Sequence, residues 1–398
     1  MRVTFRWRFV LPLAAAQLVS WGSLYYAFAV IAEPMAAELG WSWPAVNGAL
    51  SAGLAAAGLA SFFSGRAIDA HGGRVLMTAG STAGMALLLA WSQVSALWQL
   101  FAIWIAMGGV FSLVLYEPVF AVIARELMDG YRRGIIVITL LGGLASTVFI
   151  PLTHVLTENF GWRAALQVLA LMQVPFGIVL HWLALRGGKP RQVAKAAPPP
   201  QRVAKAMREP VFWLLALSYG AHAFMYTAIS FNILPLLGER GFTMASGVLA
   251  YSLVGPSQVA GRMIVYAVER RIRVALAGTV ATILPVIGVA CLMLAAPGSF
   301  LLYVFAVLYG AGMGIKTIVQ ATAAPEFLGR QGYGALQGNF AGINFAVQAA
   351  TPFATALLWQ ASGGYDAVLK VLMAGTALSA IAFGLAVLLR PRPAEARG

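Results

Sequence analysis

The segment Gly65-Arg-Ala-Ile-Asp69-Ala-His-Gly72-Gly-Arg74 has the pattern G-x-x-x-D-x-x-G-x-R and lies between two apolar runs, at about 45–64 and 75–93. Its glycines permit a tight turn. Asp69 suits a helix N-terminus, and Arg74 suits an acidic neighbour. Each flanking run is close to the roughly 20 residues that a membrane-spanning helix needs. We therefore predict a short polar turn that joins two transmembrane helices.

The composition extends this interpretation to the whole chain. Of the 398 residues, 60% are apolar and only 10% are charged, whereas an ordinary soluble domain carries about 25% charged residues. This contrast excludes a soluble globular protein. Apolar runs of spanning length recur along the chain and predict twelve transmembrane helices. The predicted spans are about 10–32, 45–64, 75–93, 98–124, 134–157, 163–185, 211–236, 244–267, 274–295, 300–322, 334–359 and 366–389.

The basic residues indicate an orientation. The chain has 27 Lys and Arg against 13 Asp and Glu, a formal net charge of +14. If both termini are cytoplasmic, most of the basic residues fall on cytoplasmic segments, so the positive-inside rule explains the excess without nucleic-acid binding. The apolar run from Val10 to about Ala32 is too long for a signal peptide, and we predict an uncleaved first helix. The expected location is a bacterial-type inner membrane.

A basic, proline-rich linker divides the predicted spans six to six. The segment 186–210 contains five prolines and seven basic residues with almost no apolar periodicity, which favours a flexible connection. We therefore predict an N-terminal six-helix bundle over 1–185 and a C-terminal six-helix bundle over 211–398.

The two halves also resemble each other. Glu38-Leu-Gly40-Trp41-Ser42 matches Glu239-Arg-Gly241-Phe242-Thr243 at an offset of 201, and Gly161-Trp162-Arg163 matches Gly364-Tyr365-Asp366 at an offset of 203. Because the two offsets nearly agree, they indicate a duplicated six-helix unit. In transporters built this way the substrate site is near the midplane between the halves.

Together these features strongly resemble the major facilitator superfamily, whose best-known signature occupies the loop at 65–74. The resemblance covers nearly the whole chain. It implies an all-α membrane fold of two six-helix bundles, alternating access, and a gating role for Gly65, Asp69, Gly72 and Arg74. The second-half copy of the signature is degenerate, with Glu269-Arg270 where Asp-Arg is expected.

A finer resemblance is to the monocarboxylate and oxalate/formate transporter branch. It rests on Glu117-Pro118, on Tyr131-Arg132-Arg133-Gly134, on Phe160-Gly161-Trp162-Arg163 and on Val259-Ala260-Gly261-Arg262. In that branch an arginine of span 8 binds the substrate carboxylate, which implies this role for Arg262. The chain departs from the branch pattern because Gln258 replaces an aspartate and the lysines of spans 1 and 11 are absent.

Arg262, Lys316 and Glu117 lie well inside predicted spans and carry the functional hypothesis. A cation at the membrane centre costs roughly 2.5–3.5 kcal/mol, so Arg262 and Lys316 suggest an anion site unless they snorkel or form an internal ion pair. A guanidinium also suits a carboxylate because it binds both oxygens. Glu117 is the candidate proton carrier; alternatively it neutralises one of these cations, or faces water beside a kink at Pro118.

Polar and aromatic residues of spans 1, 7 and 11 are candidates to line the cavity. We expect the substrate-binding set to be completed by Tyr25, Tyr26, His222, Tyr226 and Asn344, with Gln17, Asn339 and Gln348 as further candidates, although each residue type also serves in helix packing. Gly310-x-x-x-Gly314 predicts close helix packing rather than a phosphate loop, because Ile315 separates it from Lys316.

The remaining motifs argue against an enzyme. A single cysteine, Cys291, and four scattered histidines predict neither a disulfide nor a metal site. We predict a monomeric transporter without a cofactor that moves a small organic anion, specifically a carboxylate, by proton coupling or exchange. The alternative is a proton-coupled exporter of drugs or other amphipathic compounds, in which Glu117 recognises the cation or proton and Arg262 is structural.

Overall fold

A computed structural model of the chain describes residues 6–71, 73–127, 131–186, 207–268, 273–328 and 333–390. Within these ranges every regular element is a helix. The chain divides into two compact units, Met1–Ala194 and Lys195–Gly398. The predicted linker lies largely outside the described residues, so its boundaries stay predictions.

The N-terminal unit contains six long helices, of which the first, the fourth, the fifth (at Leu144) and the sixth are interrupted. The helical stretch Ala145–Gln173 is divided at Gly161, whose φ of 80° and ψ of 160° are not helical, so the fifth helix ends there and the sixth begins. The helices are α1, Trp7–Leu39 with a π-helical turn at Trp21–Tyr26; α2, Trp43–His71; α3, Gly73–Ser92; α4, Leu97–Val114 and Tyr116–Glu126; α5, 131–160; and α6, 161–184 with a π-helical turn at Val174–Val179.

The C-terminal unit repeats this arrangement. Its second helix is interrupted at Leu253, whereas the second helix of the N-terminal unit is continuous. The helices are α7, Pro210–Glu239; α8, Met244–Ser252 and Val254–Val268; α9, Val274–Leu294; α10, Leu301–Phe327; α11, Tyr333–Ser362; and α12, Tyr365–Leu389.

These helices match the predicted spans one to one. Nine helices within the described ranges are long and apolar enough to cross a membrane, and one of them, Gly134–Ala184, contains two of the predicted spans. The main difference from the prediction is that span 4 is not continuous. Its helix breaks at Leu115, which has an extended backbone conformation.

The break in α4 has a clear local cause. Proline lacks an N–H and its ring collides with the carbonyl group four residues earlier, so Pro118 cannot continue the hydrogen-bond ladder to Val114. The side-chain amide of Gln17 in α1 donates a hydrogen bond to this carbonyl oxygen instead. The predicted kink at Pro118 is confirmed. Gln17 takes part in this helix contact, and its predicted role in lining a cavity stays a prediction.

The packing partners of the two units repeat with a step of six helices. In the N-terminal unit α2 packs on α4, α1 packs on α5 and α6, and α3 packs on α4 and α6. In the C-terminal unit α8 packs on α10, α7 packs on α11 and α12, and α9 packs on α10 and α12. This repetition supports the duplication inferred from two short sequence matches.

The two sequence matches also meet in space within each unit. At the end of α1, Glu38 accepts a hydrogen bond from the indole Nε1 of Trp162 at 2.6 Å and forms an ion pair with Arg163 at the start of α6. At the end of α7, Glu239 accepts a hydrogen bond from the backbone N–H of Tyr365 at 2.7 Å, at the start of α12. The repeated glutamate therefore ties the first helix of each unit to the sixth.

Glycines bring one helix pair of each unit into close contact. A methyl group on Gly53 of α2 would lie 2.6 Å from the carbonyl oxygen of Trp104 in α4. A methyl group on Gly261 of α8 would lie 2.6 Å from the carbonyl oxygen of Ala311 in α10, and one on Gly310 would lie 2.5 Å from that of Val254. The prediction that the Gly310 motif packs helices closely is confirmed.

Candidate functional site

The C-terminal unit has a narrow pocket around Lys316. It lies between helices α7, α9, α10 and α12, which pack so closely here that the structure leaves no room for a water molecule. A ligand could enter only if these helices moved apart. The lining residues are Ser218, Tyr219, His222, Gly278, Ala281, Thr282, Lys316, Val319, Ser379 and Phe383.

Lys316 is half-buried in α10 and its observed partners are neutral. Its Nζ donates a hydrogen bond to the Oε1 atom of Gln320, one turn later, at 2.6 Å, and lies 5.4 Å from the centre of the Tyr219 ring. Among the described side chains, no carboxylate forms an ion pair with Lys316. The pocket thus contains a cation whose charge is balanced by no described acidic group.

His222 lines the same pocket from α7, as predicted, and is 2% exposed. Its Nε2 atom lies 2.9 Å from the sulfur of Met313 in α10. The two residues that the sequence proposed from separate spans, Lys316 and His222, are therefore brought together by the packing of α7 on α10.

Arg262 lies elsewhere in the same unit. It is half-buried in α8, where its Nη2 atom is 3.4 Å from the Oε1 atom of Gln258, one turn earlier, and it does not line the pocket around Lys316. The two cations that we predicted to act together thus lie on different helices, and only Lys316 lines this pocket. Their joint role stays a prediction.

The other predicted residues of this unit are close to the pocket helices but do not line the pocket. Tyr226 is half-buried in α7, one turn after His222. Asn344 is 8% exposed in α11, and its side-chain oxygen has no hydrogen-bond partner among the described residues. Asn339 and Gln348 are half-buried in the same helix.

In the N-terminal unit, Tyr25 and Tyr26 lie in the π-helical turn of α1. Their ring centres are 5.3 Å apart, and Trp21 of the same turn lies 4.8 Å from Tyr116, directly after the break in α4. π-Helical turns and broken helices are frequent at functional sites. The side chain of the predicted proton carrier, Glu117, lies outside the described residues.

The predicted gating segment is mostly helical rather than a turn. α2 continues through Gly65 and Asp69 to His71, because a helix can extend beyond the hydrocarbon layer where its backbone groups stay paired. Gly72 and the side chain of Asp69 lie outside the described residues. The prediction of a tight turn over the whole segment is therefore wrong for its first seven residues.

Arg74 is anchored within its own unit. Its Nε atom donates a hydrogen bond to the carbonyl oxygen of Trp182 in α6 at 3.1 Å, and its guanidinium lies 3.6 Å from the centre of the Trp182 ring. A planar guanidinium can stack on an indole while it donates hydrogen bonds. The arrangement ties the start of α3 to the end of α6, a contact that the sequence did not suggest.

Sequence reasoning missed several polar residues of the pocket. Ser218 of α7 and Ser379 of α12 each donate a hydrogen bond of 2.9 Å to the other's backbone oxygen. Single serines in apolar spans carry no recognisable pattern, so only the packing of α7 on α12 could place them here. Gln320, in contrast, could have been found, because residues four apart share one face of a helix.

The described residues offer no metal site. No group of three His, Cys, Asp or Glu side chains in these ranges is close enough to bind an ion. The pocket brings together one cation, hydroxyl groups and aromatic rings.

Comparison with known proteins extends this picture. The chain is similar in structure to the nucleoside transporter NupG, with a TM-score of 0.74 and 14% identity over 97% of this chain and 99% of that chain. It is also similar to a bacterial homolog of the human lysosomal transporter Spinster in an inward-facing, unoccupied conformation, with a TM-score of 0.70 and 14% identity over 98% and 100% of the two chains. No curated protein matches the chain.

At this identity the two structures show the fold alone. The predicted all-α membrane fold with twelve transmembrane helices is confirmed. A family model described as Major Facilitator Superfamily matches residues 13–352, which is most of the chain. The chain therefore belongs to the Major Facilitator Superfamily.

Proposed function

We propose that this protein is a secondary transporter that carries a small organic anion, specifically a carboxylate, across the membrane by alternating access. The proposal follows from membership of a transporter family together with the chemistry of the pocket. The expected membrane is the bacterial inner membrane, with both termini in the cytoplasm, and the expected functional unit is a monomer.

The observation that carries the proposal is Lys316 in its pocket. An ammonium group inside an apolar helix costs roughly 2.5–3.5 kcal/mol on insertion scales. Its observed partners, the amide of Gln320 and the ring of Tyr219, carry no net charge and so offset this cost only in part. A bound carboxylate would supply the missing negative charge, and a charge-assisted hydrogen bond is among the stronger contacts available to it.

The lining of the pocket supports a substrate with a polar end. Hydroxyl-bearing Thr282 and the Ser218–Ser379 pair line it beside Lys316. These hydroxyl groups donate to backbone oxygens in the structure, so each would exchange that hydrogen bond to donate to a carboxylate. The resemblance to the monocarboxylate and oxalate/formate branch supports the same substrate class.

We keep Arg262 as a second anion partner in the proposal. A guanidinium stays charged under all physiological conditions and binds both carboxylate oxygens. Its Nη2 atom lies 3.4 Å from the uncharged side-chain amide of Gln258. Substituting Lys316 and Arg262 one at a time measures what each cation contributes to anion binding.

Ligand binding to the purified protein tests the proposal. We expect lactate, oxalate or benzoate to raise the melting temperature of the wild type, because a ligand at 100 times its Kd stabilises the folded state by about 2.7 kcal/mol. This stabilisation should vanish in Lys316→Met. Lys370→Met, which removes an exposed lysine of α12, is the matched control and should retain it.

Two outcomes would contradict the proposal. A stabilisation by carboxylates that survives in Lys316→Met and in Arg262→Ala would show that neither cation binds the anion. Stabilisation by lipophilic cations alone, lost in Glu117→Gln, would favour the exporter instead.

A further inference from the structure

The described groups around Lys316 include no carboxylate that would keep its side chain in the charged form. Its ammonium form has three N–H donors, and the observed polar contact is with Gln320. The nearby serines are already engaged with each other, since Ser218 and Ser379 exchange hydrogen bonds across α7 and α12. A neutral amine keeps two N–H donors, and one of them can make the same contact with Gln320, so this contact does not require the charged form.

The other titratable groups near Lys316 do not compensate its charge. His222 is engaged with the sulfur of Met313, and the Tyr219 ring presents its face. Among the described side chains of α7, α8, α9 and α11 the one carboxylate is Glu239, the last residue of α7, where it accepts hydrogen bonds from Trp359 and Tyr365. The other titratable residues of these helices are polar or basic. They are Tyr226 of α7, Tyr251 and Arg262 of α8, and Cys291 of α9, while the described side chains of α11 include no charged residue.

An anion bound in this pocket changes the equilibrium between the neutral amine and the ammonium form of Lys316. A carboxylate beside Nζ favours the ammonium form, because opposite charges attract strongly where water is scarce. By thermodynamic reciprocity, whatever factor the anion adds to proton affinity, the proton adds to anion affinity. Lysine can take part in such an exchange because its amine can release a proton, whereas the guanidinium of arginine cannot.

We propose that Lys316 is itself the proton-binding site of the transport cycle. It gains one N–H bond and one positive charge when the anion binds, and it returns that proton to solvent when the anion leaves. The anion and the proton then move together without net charge, and no carboxylate side chain is needed as the carrier. This inference rests on the proposed function and gives Lys316 the coupling role that the sequence suggested for Glu117.

Proton uptake during binding tests the inference. Lactate, oxalate and benzoate are added to the wild type in weakly buffered detergent solution, and a pH indicator reports protons taken up per anion bound. We expect uptake of up to one proton, and an apparent Kd that rises by up to about tenfold per pH unit across the titration of the lysine. Higher pH weakens binding because the neutral amine has lost its attraction for the anion.

Lys316→Arg separates charge from proton exchange. This variant keeps a cation at the site, so we expect it to bind the same carboxylate with no proton uptake and no dependence on pH between about 6 and 9. Lys370→Arg on α12 is the matched control and should behave as the wild type. If Lys316→Arg does not fold, Glu117→Gln decides: uptake that is retained there supports Lys316, and uptake that is lost there assigns the proton to Glu117 and overturns the inference.

The outcomes distinguish this inference from the proposed function. A wild type that binds none of the three carboxylates contradicts both. A wild type that binds a carboxylate without proton uptake contradicts only the inference. Proton uptake that persists in Lys316→Arg assigns the proton to another group and overturns the inference. If that uptake also disappears in Glu117→Gln, the other group is Glu117.

Discussion

The contact between α8 and α10 should fail if a single methyl group is added to Gly314. A Cβ atom at this position would lie closer than 3.0 Å to three backbone atoms of Gln258, among them its carbonyl oxygen. Backbone atoms cannot rotate away as side chains do, so the two helices would have to separate. Gly310 and Gly261 depend on the same close approach.

The cost of Gly314→Ala can be worked from this geometry. Overpacking a well-packed contact costs about 1–3 kcal/mol, and each kcal/mol lowers the melting temperature of a domain of about 200 residues by roughly 2–4 °C. We therefore expect Tm to fall by about 2–12 °C. Because α10 also holds Lys316, we expect ligand stabilisation to weaken in this variant.

Thermal unfolding in detergent measures the effect, with Gly342→Ala as the matched control. Gly342 lies in α11, and a Cβ atom there would meet nothing within 4 Å. Alanine is favoured over glycine in a helix by about 0.5–1 kcal/mol, so this control should keep or raise Tm. Equal melting temperatures for the two variants would refute the argument that bare backbone at Gly314 sets the distance between α8 and α10.

Three further predictions concern charged residues. Arg262→Lys should weaken carboxylate binding because an ammonium group cannot contact both oxygens as a guanidinium does. Unchanged affinity and transport rate would refute the idea that Arg262 binds both oxygens. Arg74→Lys should lower stability by about 1 kcal/mol in thermal unfolding, because the stacking on Trp182 is lost; a fall in transport rate with unchanged Tm would instead favour gating. Glu239→Gln should cost about 1 kcal/mol, as the charge-assisted bonds to the start of α12 weaken, and an unchanged Tm would show that this tie contributes nothing.

Much of the fold was predictable because it depends on local properties. Each transmembrane helix must satisfy its own backbone hydrogen bonds in a medium without water, so length and apolar content identify it without knowledge of its neighbours. The kink in α4 was equally local, because Pro118 blocks the bond to Val114. The gating segment was predicted less well, since nothing local marks where a helix leaves the hydrocarbon layer and ends.

The candidate site was predictable only in part. Lys316 and His222 stood out because polar groups in apolar spans are costly and few. The pairing of Gln17 with Val114 and the pairing of Ser218 with Ser379 could not be predicted, because each joins residues far apart in sequence. The same holds for Arg74 and Trp182.

The sequence by itself determined the helical membrane fold, the duplication and the identity of the intramembrane cations, because these follow from hydropathy, repeated motifs and the cost of burying charge. Only the tertiary structure decided which polar residues share a pocket. It placed Lys316 with His222 and left Arg262 outside that pocket. The physical reason is that a helix face meets its partner through packing, and close glycine contacts such as Gly314 on Gln258 set which faces turn inward.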